Sequence, residues 1–293
     1  MPPSPHPAVL IVNTRSRRGQ RLFTEAKESL SQAGLDLTQT YPVRDPSRVV
    51  DIVQDAVGRK NRLVVVGGGD GTLSSVVGAF AHKEAVLGII PMGTANNFAR
   101  ALGIPLDVNS ASGVIASGKV GRVDLGKIND DYFTNAISLG ISASLHGAGT
   151  QRMKRYLGRL GYLLAATARF SVHRAFRVEL ALGDRVIEKE VQDLRVANGP
   201  FNGGVRAVEG ADVRSGELLI RAVTGGSKWA LARTWARIEA GRELDDACVE
   251  LVHARSFQLD AFPRQSVSVD GEVVTLTPVR LSLEAEALRV MVP

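Results

Sequence analysis

Short apolar runs and helical stripes alternate along the first third of the chain. The runs "AVLIVN", "RLVVVG" and "AVLGIIP" are continuous and rich in β-branched residues, which is typical of strands buried on both faces. Between such runs, apolar residues recur every three or four positions, as in the stripe formed by Leu22, Ala26, Leu30 and Ala33. This alternation predicts an α/β domain with a parallel sheet covered by helices.

End signals bound two of these helices. Gly34 follows the first stripe, where a left-handed C-cap is expected, and the polar stretch "TRSRRGQR" before that stripe is predicted to be a loop. Asp45 is expected as the N-cap of the next helix, with Pro46 as its first residue and Gly58 as its end.

The pattern changes from Gly121 onward to closely spaced strands with alternating polarity. Segments such as "GRVDLGKI", "FRVELAL" and "SVSVDGEVV" are separated by turn residues, which predicts a β-rich antiparallel sandwich. We therefore expect two domains, residues 1–122 and 123–279. The closing strands, residues 280–293, fit either domain, and whether they complete the first domain is left open.

One strand-to-helix turn is unusually rich in glycine. The stretch "LVVVGGGDGTLSSVVGAF" contains Gly67, Gly68, Gly69, Asp70, Gly71 and Thr72. A turn that opens a helix aims backbone N–H groups and the positive end of the helix dipole at one point, and glycines let an anion approach closely. We expect a phosphate site here, with Thr72 capping the helix and Asp70 either acting through a divalent cation or ordering water and neighbouring donors.

Two familiar nucleotide motifs do not fit. The dinucleotide fingerprint requires a third glycine where Thr72 stands and an acidic residue near the end of the next strand, which instead ends at Pro91. The stretch "GVIASGKV" has Walker A spacing, but Val120 replaces the metal-binding hydroxyl and the segment leads into a strand. We interpret this second match as a coincidence.

Composition narrows the class of protein. The 293 residues are 44% hydrophobic, and 36 Lys and Arg exceed 30 Asp and Glu to give a net charge of +6, which mildly favours an acidic partner. Only 5% of residues are aromatic, so nucleic-acid binding is not expected. A single cysteine, Cys248, and the lack of a long apolar stretch favour a cytoplasmic protein without a membrane span.

Three blocks together resemble the signature of the diacylglycerol kinase catalytic family, which includes bacterial lipid kinases and sphingosine and ceramide kinases. They are "GGGDGT" (67–72), "PMGTANNFARALGIP" (91–105) and "SVDGEV" (268–273). The resemblance implies an NAD-kinase-like nucleotide-binding domain, a β-rich lipid-substrate domain and an active site in the cleft between them. It also implies ATP-dependent phosphorylation of the hydroxyl of diacylglycerol or a similar lipid, with ATP and Mg²⁺ as cofactors.

The resemblance assigns roles to individual residues. Around ATP it places Asn13, Thr40, Gly67, Gly68, Gly69, Asp70, Gly71, Thr72, Thr94 and Asn96, all expected to follow the carboxyl ends of strands. Glu272 resembles the general base, and Asp270 resembles its orienting partner. Asp124 resembles an aspartate that joins Asp70 in a magnesium and water network. By itself, the Asp270–Gly271 pair is also the usual signature of a two-residue hairpin turn.

The chain departs from the family pattern at two places. Asn97 stands where the family often has aspartate, which removes one negative charge but keeps a hydrogen-bonding side chain. The segment "ADVRSGEL" replaces an acidic loop that holds a structural metal in bacterial relatives, and that metal is not expected here. These departures leave open a catalytically weak nucleotide- or lipid-binding protein. The glycine turn, taken alone, also leaves open an NAD kinase relative.

The expected partner is a lipid with a free hydroxyl. The segment "QRMKRYLGRLGYLLAATARF" combines basic and apolar residues, so it predicts either transient contact with an anionic membrane or a helix packed on the second domain. Arg15, Arg17, Arg18 and Arg21 follow Asn13 and could together offset triphosphate charge, although for any single one of them a solvated loop is the better interpretation. A homodimer is left open.

Overall fold

The computed structural model describes residues 7–15, 17–141, 143, 174–224, 237 and 248–293. Within these residues fifteen strands form one hydrogen-bonded sheet, whose first part is parallel and covered by helices and whose second part is antiparallel. Two large apolar clusters of buried side chains correspond to the two parts. The predicted fold class is confirmed.

The parallel part has the strand order β2–β1–β3–β4, which continues into the last strand of the chain. Its central strands are fully buried because helices cover both faces, as their continuous apolar runs predict. Its elements are β1 (Pro7–Asn13), α1 (Arg17–Gln32), β2 (Asp36–Val43), α2 (Ser47–Gly58), β3 (Leu63–Gly68), α3 (Asp70–Phe80), β4 (Val86–Pro91), α4 (Asn97–Ala101) and α5 (Val108–Ala116).

The helix ends agree with the sequence signals at Gly34 and Gly58 but not at the starts of α1 and α2. Gly34 has a φ of +92° beyond the end of α1, and α2 ends at Gly58, as predicted. Helix α1 already begins at Arg17, inside the stretch predicted as a loop, because a first turn needs no apolar face to be stable. Helix α2 begins at Ser47 with Pro46 as its N-cap, so the prediction of Asp45 as N-cap and Pro46 as first residue is wrong by one position. The Asp45 carboxylate nevertheless accepts a hydrogen bond from the Ser47 N–H at 3.1 Å.

The antiparallel part brings together strands that lie far apart along the chain. Its elements are β5 (Val120–Ile128), β6 (Asp131–Phe133), β7 (Ala136–Gly140), β8 (Phe176–Leu182), β9 (Arg185–Ala197), β10 (Phe201–Asn202), β11 (Val205–Arg206), β12 (Leu218–Thr224), β13 (Val249–Ala254), β14 (Ser256–Phe262), β15 (Ser266–Val269), β16 (Glu272–Leu276) and β17 (Val279–Met291). Strands β16, β15, β7, β9 and β12 are successive neighbours, and they carry the features discussed below.

The last strand belongs to both parts. The first half of β17 pairs with β14, and Val279 and Leu281 lie in the second apolar cluster. Its second half enters the first cluster, where Val290 pairs in parallel with Leu87 of β4. Strand β5 runs antiparallel to β17 along both halves. The closing segment therefore joins the two parts of the sheet.

Some predictions fall outside the described residues. They include the basic and apolar segment "QRMKRYLGRLGYLLAATARF" and the segment "SKWALARTWARIEAG", apart from Arg237. Among the helices that are described, none combines the length and the apolar character that crossing a bilayer requires.

Candidate active site

The glycine turn joins β3 directly to α3. The strand ends at Gly68, and Gly69 in extended conformation is the N-cap of a helix that begins at Asp70. The prediction that Thr72 caps this helix is wrong, because Thr72 already lies in the first turn. Its Oγ1 instead accepts a hydrogen bond from Asn13 Nδ2 at 3.2 Å, which ties the end of β1 to the start of α3.

A second loop, residues 92–96, packs against the glycine turn. Asn96 adopts a left-handed conformation with a φ of +49° and folds the loop through two hydrogen bonds with the backbone of Gly93, at 2.8 and 3.0 Å. A Cβ built on Gly93 would lie 2.7 Å from the Cα of Gly69. The two loops therefore touch backbone to backbone, while the Thr94 side chain stays exposed beside them.

The other residues predicted to contact ATP do not all lie at the end of a strand. Asn13 ends β1, as expected, but Thr40 lies inside β2, paired with Leu10 and three residues before the strand ends. The expected position of Thr40 after the strand is wrong, because β2 continues through Pro42, which an edge strand tolerates. Residues Arg15, Arg18 and Arg21 are exposed, and the Arg17 side chain is outside the described set.

Asp70 lies where α3, α4 and the antiparallel part meet. Its Oδ1 accepts a hydrogen bond from the Phe98 N–H in α4 at 3.3 Å. Burial raises the pKa of the Asp70 carboxyl above its ordinary value, the Phe98 hydrogen bond opposes this, and the negative charge of Asp270 raises it further. Asp70 therefore carries negative charge that the described residues compensate only in part.

The raised pKa of Asp70 predicts that its charge destabilises the fold. A carboxyl with a raised folded-state pKa contributes stability below its unfolded pKa, and this contribution is lost as the pH rises through the folded pKa. Asp70→Asn keeps an acceptor for Phe98 without the charge, so we expect a melting temperature a few degrees above wild type at about pH 7. The gain should shrink at about pH 4, and a thermal melt without metal at both pH values measures it. Asp51→Asn, on the exposed side of α2, is the control, and an equal gain at both pH values would contradict the prediction.

The Asp270–Glu272 segment is a tight hairpin turn between β15 and β16. Asp270 and Gly271 have φ values of +46° and +96°, as a two-residue hairpin with both central residues left-handed requires. The Asp270 carboxylate accepts four hydrogen bonds of 2.9 to 3.0 Å from residues 134–136, through three backbone N–H groups and the Thr134 hydroxyl. Glu272 begins β16 and is exposed. The orienting role of Asp270 toward Glu272 stays a prediction.

A cleft of about 470 Å³ opens beside Glu272. One wall is the face of α3 that carries Gly71, Ser74 and Ser75, and the opposite wall includes Asp270 and Glu272. A Cβ built on Gly71 would lie 3.4 Å from Glu272 Oε1. The carboxylate predicted to be the base thus lies against the first turn of the helix that the glycine turn opens.

Asp124 is buried and fully engaged by backbone groups. Its Oδ2 accepts the Gly216 N–H and its Oδ1 accepts the Glu286 N–H, each at 2.8 Å. The loop Asp212–Glu217 is further closed by its own bonds, including Arg214 N–H to Asp212 Oδ1 at 3.0 Å. Both carboxylate oxygens of Asp124 thus already accept hydrogen bonds, one from this loop and one from β17. A place for Asp124 in a magnesium network stays a prediction.

Asn97 connects the two parts of the protein. Its Oδ1 accepts the Gly204 N–H at 2.9 Å, so the first residue of α4 is tied to the turn between β10 and β11. An aspartate could accept the same bond, and the amide therefore preserves this contact while lowering the negative charge near Asp70.

Several residues around the Asp270–Glu272 turn were not identified from the sequence. Asn198 donates from Nδ2 to the carbonyls of Asp124 and Thr134 at 3.0 and 2.9 Å, and Asn135 Nδ2 donates to the carbonyl of Phe201. These bonds join segments more than 60 residues apart. The available signal was the occurrence of asparagines at the ends of otherwise apolar strands, in "FTNA" and "VANGP".

Comparisons with known proteins agree with this arrangement. The model of the diacylglycerol kinase catalytic domain matches residues 7–128, and that of the YegS C-terminal NAD kinase beta sandwich-like domain matches residues 135–292. A Pseudomonas aeruginosa protein named "Probable lipid kinase YegS-like" is 30% identical over 97% of this chain and 94% of its own length. A Staphylococcus saprophyticus diacylglycerol kinase is 27% identical over 86% of this chain and 84% of its own.

Solved structures give the same result. A crystal structure of a diacylglycerol kinase from Bacillus anthracis superimposes with a TM-score of 0.82 at 25% identity, covering 98% of this chain and 97% of that one. The sequence resemblance to this family is confirmed by the two domain models and by the extent of these matches. The chain belongs to the diacylglycerol kinase family of lipid kinases.

Proposed function

We propose that the protein is an ATP-dependent kinase that transfers the γ-phosphate to the hydroxyl of diacylglycerol or a similar lipid. The position of Glu272 carries this proposal. Its carboxylate belongs to the antiparallel part, yet it lies against Gly71 in the first turn of α3 and lines the cleft there. A proton acceptor thus faces the helix terminus that is predicted to hold phosphate.

In the proposed reaction, Glu272 takes the proton of the lipid hydroxyl while the hydroxyl oxygen forms a bond to the γ-phosphorus. The bond from the γ-phosphorus to its bridging oxygen breaks, and ADP leaves. The backbone N–H groups of the glycine turn and the dipole of α3 would hold the phosphates in line with this attack. Positioning and charge stabilisation supply most of the rate in such transfers.

Asp70 fits a magnesium ligand better than Asp124 does. The pKa of Asp70 is raised by burial and by the nearby Asp270, so a cation would relieve uncompensated charge there. Mg²⁺, when bound, would neutralise charge on the phosphate oxygens. The described residues contain no group of three acidic, histidine or cysteine side chains placed to hold a metal, so phosphate and water oxygens would complete its coordination.

A labelling assay tests the function. The protein is incubated with γ-labelled ATP, Mg²⁺ and, separately, diacylglycerol, monoacylglycerol, sphingosine, ceramide and NAD, and the products are separated by chromatography. We expect magnesium-dependent label on diacylglycerol or another of the lipids. Label on NAD alone would favour an NAD kinase relative, and stabilisation by nucleotide without turnover would favour a catalytically weak binding protein.

A further inference from the structure

Strand β16 exposes three apolar side chains at the edge of the sheet. Val273, Val274 and Leu276 have exposed fractions of 47%, 57% and 53%, and none of the five residues of the strand is buried. Among the described strands β16 pairs with β15 alone, so it ends the order of strands on this side. We call these three residues the apolar edge.

The apolar edge differs from the usual scatter of apolar side chains on a protein surface. Single exposed apolar residues are common, whereas a contiguous apolar patch marks a contact site. The described residues include seven large apolar side chains that are exposed, and three of them fall within four consecutive positions of β16. A strand on a core buries every second side chain, but β16 buries none. The apolar edge is therefore a candidate contact surface.

The apolar edge continues the mouth of the candidate active site. Val273 directly follows Glu272, and Val274 lines the cleft together with Val50 of α2. Leu276 lies at the other end of the strand, away from Glu272. An apolar surface thus extends from the predicted base to the outside of the protein.

The charges along this hairpin fit a lipid surface. Residues 273–278 include no charged side chain, so the apolar edge can leave water without burying a charge. At the outer end Leu276 pairs with Ser266, and Arg264, which precedes Ser266 by two residues, is exposed. An arginine in such a place lays its aliphatic stem along apolar groups and keeps its guanidinium among lipid phosphates.

A strand from a second copy of the protein fits this edge less well than lipid does. The pairing of β16 with β15 skips Val274, because its neighbours Val273 and Thr275 lie opposite consecutive residues of β15. Such a β-bulge bends the edge strand and disrupts the regular spacing of its hydrogen-bonding groups, which hinders the addition of a further strand. Acyl chains are fluid and need no register with the backbone.

We propose that the apolar edge inserts into the surface of a lipid bilayer and so presents the mouth of the cleft to lipid that stays in the membrane. The inference adds a docking surface to the proposed kinase function, and its binding test does not require turnover. Valine and leucine side chains that enter the acyl layer leave water, which favours the bound state in proportion to the apolar area buried. Because the contact is apolar, it should persist at salt concentrations that screen charges.

Partitioning of the full chain onto vesicles of dioleoyl phosphatidylcholine tests this proposal. Val273→Thr/Leu276→Thr keeps residues that favour strands but removes apolar surface, so we expect a partition coefficient roughly 10- to 100-fold below wild type. Val186→Thr/Leu251→Thr is the matched control, since it changes the same two residue types at similarly exposed positions of β9 and β13, and it should bind as wild type does. Wild-type binding should change by less than about twofold between ~0.1 and ~1 M salt, although the Debye length falls from ~10 to ~3 Å.

Several outcomes would overturn the docking surface. They are equal losses in the two double variants, wild-type binding that disappears at high salt, and no wild-type binding at all. A wild-type dimer that Val273→Thr/Leu276→Thr dissociates, measured by sedimentation equilibrium and without vesicle binding, would assign the edge to a second copy instead. Thermal melts check that the variants are folded. Leu276→Thr, with Leu251→Thr as its control, replaces the double variants if these do not fold.

An added tryptophan reports insertion directly. Leu276→Trp and Leu251→Trp place the probe on and off the apolar edge, against the same background of two native tryptophans. Vesicles of brominated phosphatidylcholine should quench Leu276→Trp more strongly, and equal quenching contradicts insertion.

This test and the labelling assay fail independently. Preferential quenching without label on any lipid would keep the docking surface and sink the kinase function. Label on a lipid without preferential quenching would keep the kinase function and overturn the docking surface.

Discussion

Glu272→Gln is expected to lower kcat by roughly 10²- to 10⁴-fold, the usual contribution of a positioned general base. The substitution keeps the size of the side chain and most of its hydrogen bonds but removes its ability to accept the proton of a lipid hydroxyl. Nucleotide affinity should change much less than kcat, because the phosphates are predicted to bind the backbone N–H groups of the glycine turn, which the substitution leaves in place. Steady-state kinetics with the best lipid acceptor, together with nucleotide titration, measure the two effects separately.

The control for this variant is Glu250→Gln, which neutralises a half-exposed glutamate of β13 that is paired with Lys189. It should leave kcat unchanged, and both variants should melt near the wild-type temperature. A Glu272→Gln enzyme that transfers phosphate at close to the wild-type rate would show that Glu272 is not the base. The Asp270–Gly271 pair would then serve the protein only as a hairpin turn.

Gly93→Ala is expected to weaken nucleotide binding by roughly 10- to 100-fold, since inserting a methyl into a packed contact costs about 1–3 kcal/mol. The new Cβ would lie 2.7 Å from the Gly69 Cα and 2.8 Å from Asn96 Oδ1. The glycine turn and the 92–96 loop must therefore move apart, which displaces the N–H groups predicted to hold phosphate. Isothermal titration with ATP and Mg²⁺ measures the loss.

Gly113→Ala provides the matched control for this methyl group. Gly113 lies in α5, where an added Cβ meets nothing within 4 Å, and alanine is the better helix former. This variant should bind nucleotide as wild type does and melt at the same or a slightly higher temperature. Unchanged affinity in Gly93→Ala would mean that the contact between the two loops does not shape the nucleotide site.

The sequence predicted the features that depend on local pattern. Strand and helix periods yielded the fold class. Asp270–Gly271 was identifiable both as a hairpin turn and as part of a family block, and the structure confirms the turn. Thr40 was misplaced because the strand end was set by sheet pairing rather than by residue type.

Long-range contacts could not be predicted in this way. The bonds that hold the Asp270 carboxylate reach across 134 to 136 positions of the chain, and no local pattern encodes such a pairing. The pairing of Arg195 with Arg221 left a signal that was available but ambiguous. Arg195 and Arg221 each interrupt an apolar strand, in "DLRVA" and "LLIRAV", but only strand register brings them together.

The passage of β17 through both apolar clusters couples the position of one part of the protein to that of the other. The two parts are joined by a pair of hydrogen-bonded strands, β5 and β17, rather than by a flexible linker. Their regular pairing is interrupted between Glu284 and Leu288, where Glu286 has a φ of +50° and its N–H is held by Asp124. Any relative movement of the two parts would have to bend these strands, and their regular pairing is disrupted at the irregularity beside Asp124.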